Sequence, residues 1–262
     1  MSAAVQPRPA EFPPTEIVAV VVPAHNEQEL IGSCVTGIRR AAAHRDLCGV
    51  AVHLALVLDD CRDATAQQAE AALAAPAQPA WERGGALTAS LVAVAVRNVG
   101  LARAFGVTQA FFRFGTVDPE AVWIATTDAD SVVPADWLAH HLELRRQGAE
   151  ACAGTVEVDS WDEHPAWARE RFDALYRPDG GVDFGHPHVH GTNLGVSMAA
   201  YIGAGGFPAL VTAEDHALWD ALGASGRRRV ATPMTPVTTS GRRHGRSPAG
   251  FADTLVRLEP PA

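Results

Sequence analysis

The sequence predicts an α/β fold in which a mostly parallel central sheet is flanked by helices, with an irregular region over Asp159 to Gly191. Three observations predict it. Short continuous apolar runs such as Ile17 to Val22 are rich in β-branched residues, as strands buried on both faces require. Segments of helical character, ~10 to 15 residues long, alternate with those runs, which is the pattern of a parallel sheet with crossover helices. Acidic and amide residues recur directly after the runs, where open parallel sheets place their ligands.

Taken in order, Met1 to Thr15 carry Pro7, Pro9, Pro13 and Pro14 without apolar periodicity and read as a disordered lead-in. The fold begins at Glu16 with the strand Ile17 to Val22, closed by Pro23, and Asn26-Glu27 is expected to cap a helix running to Arg40. A strand over Ala51 to Leu58 leads to a helix over Asp63 to Leu73. Ala75 to Gly85, with Pro76, Pro79, Gly84 and Gly85, is expected to be a mobile loop. A strand at Leu91 to Val96 precedes a helix over Val99 to Phe112, and a strand at Val122 to Thr127 precedes a helix over Pro134 to Arg146. The expected organisation is a lead-in over 1–15, one domain over 16–255 and a tail over 256–262.

Composition removes several function classes. All 21 basic residues among the 262 are arginine. Without lysine, a Walker phosphate loop, a pyridoxal-phosphate enzyme and the usual aspartyl-nucleophile phosphatase each lack an essential group. A formal charge of −9 argues against a general nucleic-acid partner. Two local arginine clusters, Arg227 to Arg229 and Arg242, Arg243 and Arg246, suit a small anionic ligand instead. Cys34, Cys48, Cys61 and Cys152 have neither zinc nor redox spacing and are expected to be reduced. With no leader pattern and no apolar stretch near the ~20 residues of a membrane span, the expected location is the cytoplasm, without an integral membrane segment.

The chemistry concentrates after the strands. The first ends in Pro23-Ala24-His25-Asn26-Glu27, the second in Asp59-Asp60, and the fourth in Asp128-Ala129-Asp130. Carboxylates converging on one sheet edge repel one another unless a cation or a donor-rich ligand offsets them, so a divalent metal is expected there. An isolated pair of strand-end aspartates also suits helix capping, and that alternative stays open for Asp128 and Asp130 taken alone. Glu214-Asp215 likewise suits dipole stabilisation of a following helix.

VVVPAHNE, LDDCRDAT, RNVGLARAFG, TTDADS, HGTNLG followed by GGFP, and TAEDHALW occur in this order from Ile17 to about Leu255. In these pieces the chain resembles the family 2 glycosyltransferases of the GT-A fold, whose sheet is Rossmann-like. The resemblance implies a nucleotide-sugar donor, a small-molecule or glycan acceptor on the irregular side, Mn²⁺ or Mg²⁺, and inversion at the transferred sugar. It also implies roles. Pro23, Ala24, Asn26 and Glu27 would line the nucleoside pocket, and Asp60 would accept a hydrogen bond from the base. Asn98, Gly100 and Arg103 would border the nucleotide. Asp128 would touch ribose or sugar, Asp130 would ligate the metal of this DxD motif, and Asp215 would be the general base. Asn193 and Gly195 would approach the donor sugar. UDP-sugars are the first expected donors and GDP-mannose the next. Cys61-Arg62 stands where the family commonly has Gly-Ser.

In the loop Thr239 to Arg246, Arg243 and Arg246 are expected to clamp the diphosphate, since guanidinium forks match phosphate oxygens; a solvated basic surface competes with that reading. His244 would be a further metal ligand. His186, His188 and His190 would share a face and line the acceptor pocket, whereas Trp161, Trp167, Phe172 and Tyr176 read as core. A dehalogenase-type phosphatase, a sugar-nucleotide pyrophosphorylase and an NAD enzyme are disfavoured, because the lysine or the Gly-rich loop each needs is missing. A non-catalytic nucleotide-sugar-binding or scaffold domain is the alternative. Oligomeric state is left open, a homodimer included.

Overall fold

In the computed structural model, residues 16–76, 84–114, 117–176, 188–248 and 250–258 are described. Among them eight strands form one sheet: β1 (Ile17–Ala24), β2 (Ala51–Asp59), β3 (Ala86–Val94), β4 (Val122–Thr126), β5 (Ser131–Val132), β6 (Ala151–Val158), β7 (Leu194–Ser197) and β8 (Arg229–Thr239). Their order is β3-β2-β1-β4-β7-β6-β8-β5. The first four run parallel, β7 is antiparallel to both β4 and β6, β8 is parallel to β6, and β5 is antiparallel to β8. Helices α1 (Ile31–Ala42), α2 (Thr65–Ala74), α3 (Val99–Phe114), α4 (Trp137–Arg146), α5 (Ala166–Tyr176), α6 (Met198–Gly203), α7 (Glu214–Ala224) and α8 (Phe251–Arg257) complete the fold.

β1 shows why its run is continuously apolar. Val18, Val20 and Val22 join a core with Ile31, Val35 and Ile38 of α1, while Ile17, Ala19 and Val21 join a second core with Val107 of α3 and Leu218 of α7. Both faces of the strand are therefore buried, so alternation would have put polar groups in one of the cores. Each fully buried valine contributes roughly 1.5–3 kcal/mol. The sheet is thereby held between two helical layers, and the carboxyl ends of β1, β2 and β4 open on the same edge.

Several boundaries differ from those the sequence predicts. Helix α1 starts at Ile31 rather than at Asn26, because Asn26 adopts a left-handed φ of 53° and its side chain accepts from the Arg62 N–H instead of capping. β3 begins at Ala86 and ends at Val94, earlier than expected. The expected mobile loop lies outside the described residues over 77–83, as does the expected lead-in over 1–15. α8 runs past Leu255, the expected last residue of the domain, to Arg257. The region that reads as irregular contains α5, whose Phe172 packs with Trp161 and Tyr176 as a small aromatic core.

The cluster Arg227 to Arg229, expected to suit a small anionic ligand, lies away from the strand-end cleft and is engaged with protein partners. Arg227 Nη1 donates to Glu150 at 2.8 Å and Arg229 Nη1 to the Trp219 carbonyl at 2.5 Å, with its guanidinium over the Trp219 ring. These contacts pin the start of β8 to α7 and to the turn before β6.

Candidate active site

A cleft of about 640 Å³ opens at the carboxyl ends of β1, β2 and β4. Its far wall is supplied by the His190-Gly191-Thr192 turn, the start of α7, and the loop between β8 and α8. Pro23, Ala24, Glu27, Asn98, Arg103, Asp128, Asp130, Asp215 and Arg246 all line it, so strand ends far apart in sequence meet as the repeated pattern predicts.

Arg103 lines the cleft with 3% of its side chain exposed. Its Nη2 donates to Asp128 at 2.7 Å and its Nε to Glu214 at 2.9 Å. Arg103, expected to border the nucleotide, lines the cleft, and its guanidinium is a strut between two carboxylates. Burial opposes its charge, yet Asp128 and Glu214 raise its pKa overall. Glu214 is buried as well, and burial, reinforced by the neighbouring Asp215, pushes its carboxyl above the usual range against the pull of Arg103.

The turn at Gly191 carries this strut to the opposite wall. Its carbonyl accepts from Thr126 Oγ1 at 2.6 Å and from Arg103 Nη1 at 3.4 Å, and its N–H donates to Asp215 Oδ2 at 2.6 Å. Thr192 Oγ1 donates to the second oxygen of Asp128. A Cβ at position 191 would lie 2.4 Å from Arg103 Nη2, so any side chain there would have to push the hydrogen-bonded guanidinium aside. Asp215 is therefore oriented at the N-terminus of α7 with a defined hydrogen-bonded oxygen.

Sequence alone assigns Asp59 no role beyond its place in the Asp59-Asp60 pair. It is buried, and its carboxylate accepts the N–H groups of Val96 and Arg97 at 2.8 and 2.9 Å and of Asn98 at 3.1 Å. It clamps the turn between β3 and α3, and Asn98 Oδ1 then caps α3 by accepting from Leu101 at 2.9 Å. Asp60, with φ 51°, turns its carboxylate toward Arg62 and Arg97 and does not line the cleft. Gly100 also falls outside the lining: its N–H donates to the Leu210 carbonyl, and a Cβ there would meet the Pro208 carbonyl oxygen at 2.0 Å. Asn26 contributes turn geometry rather than lining.

Within the loop between β8 and α8, the arginine that donates to the strand-end acids is Arg242. It donates to both oxygens of Glu27, at 2.6 and 2.8 Å, and to Asp130 at 2.7 Å. Arg246 approaches Glu27 at 3.6 Å. Arg243, the expected clamp, instead meets Glu163 through its own N–H and Nη1 and does not line the cleft. His244 is exposed and is likewise absent from the lining, so it is not placed as a ligand beside Asp130.

Asn193 and Gly195 are also relocated. Asn193 is buried, accepts from Trp137 Nε1 at 2.8 Å and donates to the Thr155 and Thr235 carbonyls. Gly195 lies in β7 against Trp123, His141 and Cys152. His190 does line the cleft and His188 stacks on Tyr176 at 4.0 Å, while His186 lies outside the described residues.

Asp130 is the residue suited to a divalent cation. Burial, then the charge of Asp128, pushes its carboxyl up to about 7. A cation beside it would offset that unfavourable concentration of negative charge. Among the described residues no three His, Cys, Asp or Glu side chains form a metal cage. Hard cations at phosphate sites are held by one or two carboxylates, with substrate oxygens completing the shell, so the donor set fits such a cation only together with a diphosphate.

The mostly parallel sheet flanked by helices, with a cleft at its strand ends, is of the GT-A class of fold. The sequence description of glycosyl transferase family 2 matches residues 19–202, more than half of the chain, and the chain belongs to that family. Among solved structures, S. aureus TarS 1-349 in complex with UDP-GlcNAc is similar with a TM-score of 0.60 at 13% identity, over 93% of this chain and 65% of that one. The mannosyltransferase PcManGT from Pyrobaculum calidifontis, in complex with GDP-Man and Mn²⁺, gives 0.60 at 21% identity over 92% of this chain and 61% of that one. Glucosyl-3-phosphoglycerate synthase from Mycobacterium tuberculosis, with Mn²⁺, UDP-Glc and phosphoglyceric acid, gives 0.51 at 18% identity over 93% and 76%. At these identities the likeness is one of fold, and the chain spans less than two thirds of the TarS 1-349 and PcManGT chains. No curated protein sequence matches the chain. Among the described residues no helix is long and apolar enough to cross a membrane.

Proposed function

We propose that this protein transfers a glycosyl group from a nucleoside diphosphate sugar to an acceptor hydroxyl, with inversion, using Asp215 as the general base. The observation that carries the reading is the Gly191 turn, which ties the Asp128 side of the cleft to Asp215 on the other wall. In a single displacement the leaving diphosphate and the attacking hydroxyl must lie on opposite faces of the sugar. A strand-end acid pair on one wall and a carboxylate on the other supply that arrangement.

Glu27 and Asp128 present acceptor oxygens suited to ribose or sugar hydroxyls, and Arg246 presents a guanidinium suited to phosphate oxygens. Asp215 holds one oxygen on the Gly191 N–H, which fixes the carboxylate while it accepts the hydroxyl proton. Asp130 would hold Mn²⁺ or Mg²⁺, and when bound the cation would neutralise charge developing on the departing diphosphate.

UDP-sugars are the first donors to test and GDP-mannose the second, because similar folds were solved with UDP-GlcNAc, UDP-Glc and GDP-Man. The acceptor is proposed to be a small molecule or glycan. A cytoplasmic location is proposed on the free state of Cys34, Cys48, Cys61 and Cys152. The test is release of nucleoside diphosphate from a donor panel with and without Mn²⁺. Metal-dependent turnover that Asp215→Asn removes is expected; absence of both turnover and donor binding across the panel overturns the reading.

A further inference from the structure

We infer that Arg242 is an internal counter-ion of the donor site, occupying the carboxylates until a cation and a diphosphate enter together. This inference rests on the donor-site reading above and adds an order of events to it.

The geometry is specific. One guanidinium donates to both oxygens of Glu27, whose side chain is 6% exposed, and to one oxygen of Asp130, whose other oxygen accepts from Ser131 Oγ at 3.2 Å. A divalent cation approaching Asp130 alone must displace that bond and enter beside a fixed positive charge. Both costs oppose binding of the metal by itself. A nucleoside diphosphate changes the balance because it offers Arg242 a second anion whose oxygens match its fork. Arg242 then exchanges carboxylate for phosphate, and Asp130 is released to the metal.

The neighbouring residues allow the exchange without moving the loop. Gly241 is pinned at both ends of its peptide, its N–H donating to Asp159 at 2.8 Å and its carbonyl meeting His164 Nε2 at 2.8 Å. Arg243 is held on Glu163 at 3.0 Å. Between these anchors the long Arg242 side chain needs only new χ angles to swing from Glu27 into the cleft. Because cation and diphosphate relieve the same ion pair as they bind, each is predicted to strengthen binding of the other by the same factor.

The experiment titrates Mn²⁺ into the full chain and follows the free-ion electron paramagnetic resonance signal, with and without saturating UDP or GDP. The unmodified protein is expected to bind Mn²⁺ weakly alone and at least about tenfold more tightly with nucleotide. Arg242→Gln is expected to bind Mn²⁺ alone about tenfold more tightly than the unmodified protein, and to show a smaller gain from nucleotide. Arg242→Lys, which keeps the charge but loses the fork, is expected to show a smaller increase in the same direction. If both variants bind nucleotide yet hold Mn²⁺ no more tightly than the unmodified protein, the counter-ion role is wrong while the donor site stands. If the unmodified protein binds neither UDP nor GDP in the presence of Mn²⁺, the donor-site reading and the counter-ion role fall together.

Discussion

Replacing Arg103 by methionine is the most direct test of how the cleft is held together. The substitution keeps the length of the stem and removes the guanidinium that joins Asp128 at 2.7 Å to Glu214 at 2.9 Å. With 3% of Arg103 and 5% of Glu214 exposed, water cannot take over the lost partner. Breaking a buried pair while leaving one charge behind typically costs about 3–5 kcal/mol. The Gly191 carbonyl keeps Thr126 as a donor, so the turn itself is expected to survive.

The loss should also depend on pH, with a sign fixed by Glu214. Its folded pKa is already raised by burial, so it binds its proton more readily folded than unfolded. A carboxyl shifted that way favours folding at low pH, and the stability is lost as pH rises from the unfolded value through the folded one. Without Arg103 the folded value rises further. Urea unfolding followed by tryptophan fluorescence should therefore show a larger gap between variant and unmodified protein at pH 8 than at pH 5.5. Each pH unit spent below the raised value returns at most ~1.4 kcal/mol. A loss below about 1 kcal/mol at both pH values, or a gap that widens on acidification, would refute the strut, since typical buried-pair losses exceed that figure.

Asp215→Asn should lower turnover by about 10²–10⁴-fold while nucleotide affinity changes little; loss of nucleotide binding, read by calorimetry, would reassign the residue to the donor. Gly191→Ala should cost roughly 1–3 kcal/mol by overpacking against Arg103, and a thermal melt equal to that of the unmodified protein would contradict the close approach. His141 is buried, and burial lowers its pKa to about 3, so it stays neutral in the fold and accepts from Trp123 Nε1 at 3.2 Å. Stability should be complete above its unfolded value of 6.5 and fall as pH drops toward about 3, by up to ~1.4 kcal/mol per unit. His141→Gln should flatten that slope in acid titrations, and an unchanged slope would exclude His141 as its source.

The parallel half of the sheet was legible because β1, β2 and β4 are buried on both faces and advertise it as largely apolar runs, interrupted in β2 only by His53 before Asp59. β8 was not, since Pro233 and Pro236 break its pattern and Thr235 enters the left-handed region at φ 53°. Such a strand is held by β6, bulging between Gly154 and Val156, and at its end by β5, partners no local reading supplies. In the site, position after a strand singled out Glu27, Asp128 and Asp130, which line the cleft. It could not separate Asp59 from Asp60, because adjacent residues at a strand end point in different directions and the reversal at Asp60 is a backbone event. The same limit separated Arg242 from Arg243. In a loop without period, only tertiary partners decide which fork turns inward.

The absence of lysine acquires a physical meaning in this cleft. Glu27, Asp128, Asp130 and Glu214 could not remain close together without cations that serve more than one carboxylate each. Arg103 bridges Asp128 and Glu214, and Arg242 bridges Glu27 and Asp130. A compact ammonium can touch two carboxylates but does not impose their relative orientation, whereas the planar guanidinium does. The two bridges differ in burial, however, with side-chain exposures of 3% for Arg103 and 20% for Arg242. The first is sealed in the floor and would cost several kcal/mol to break; the second lies at the rim, where an incoming anion can compete for it. One arginine thus fixes the floor of the cleft, and the other is placed where the proposed exchange needs it, which is what a site must combine if it is to hold four acids in place and still free Asp130 for a cation.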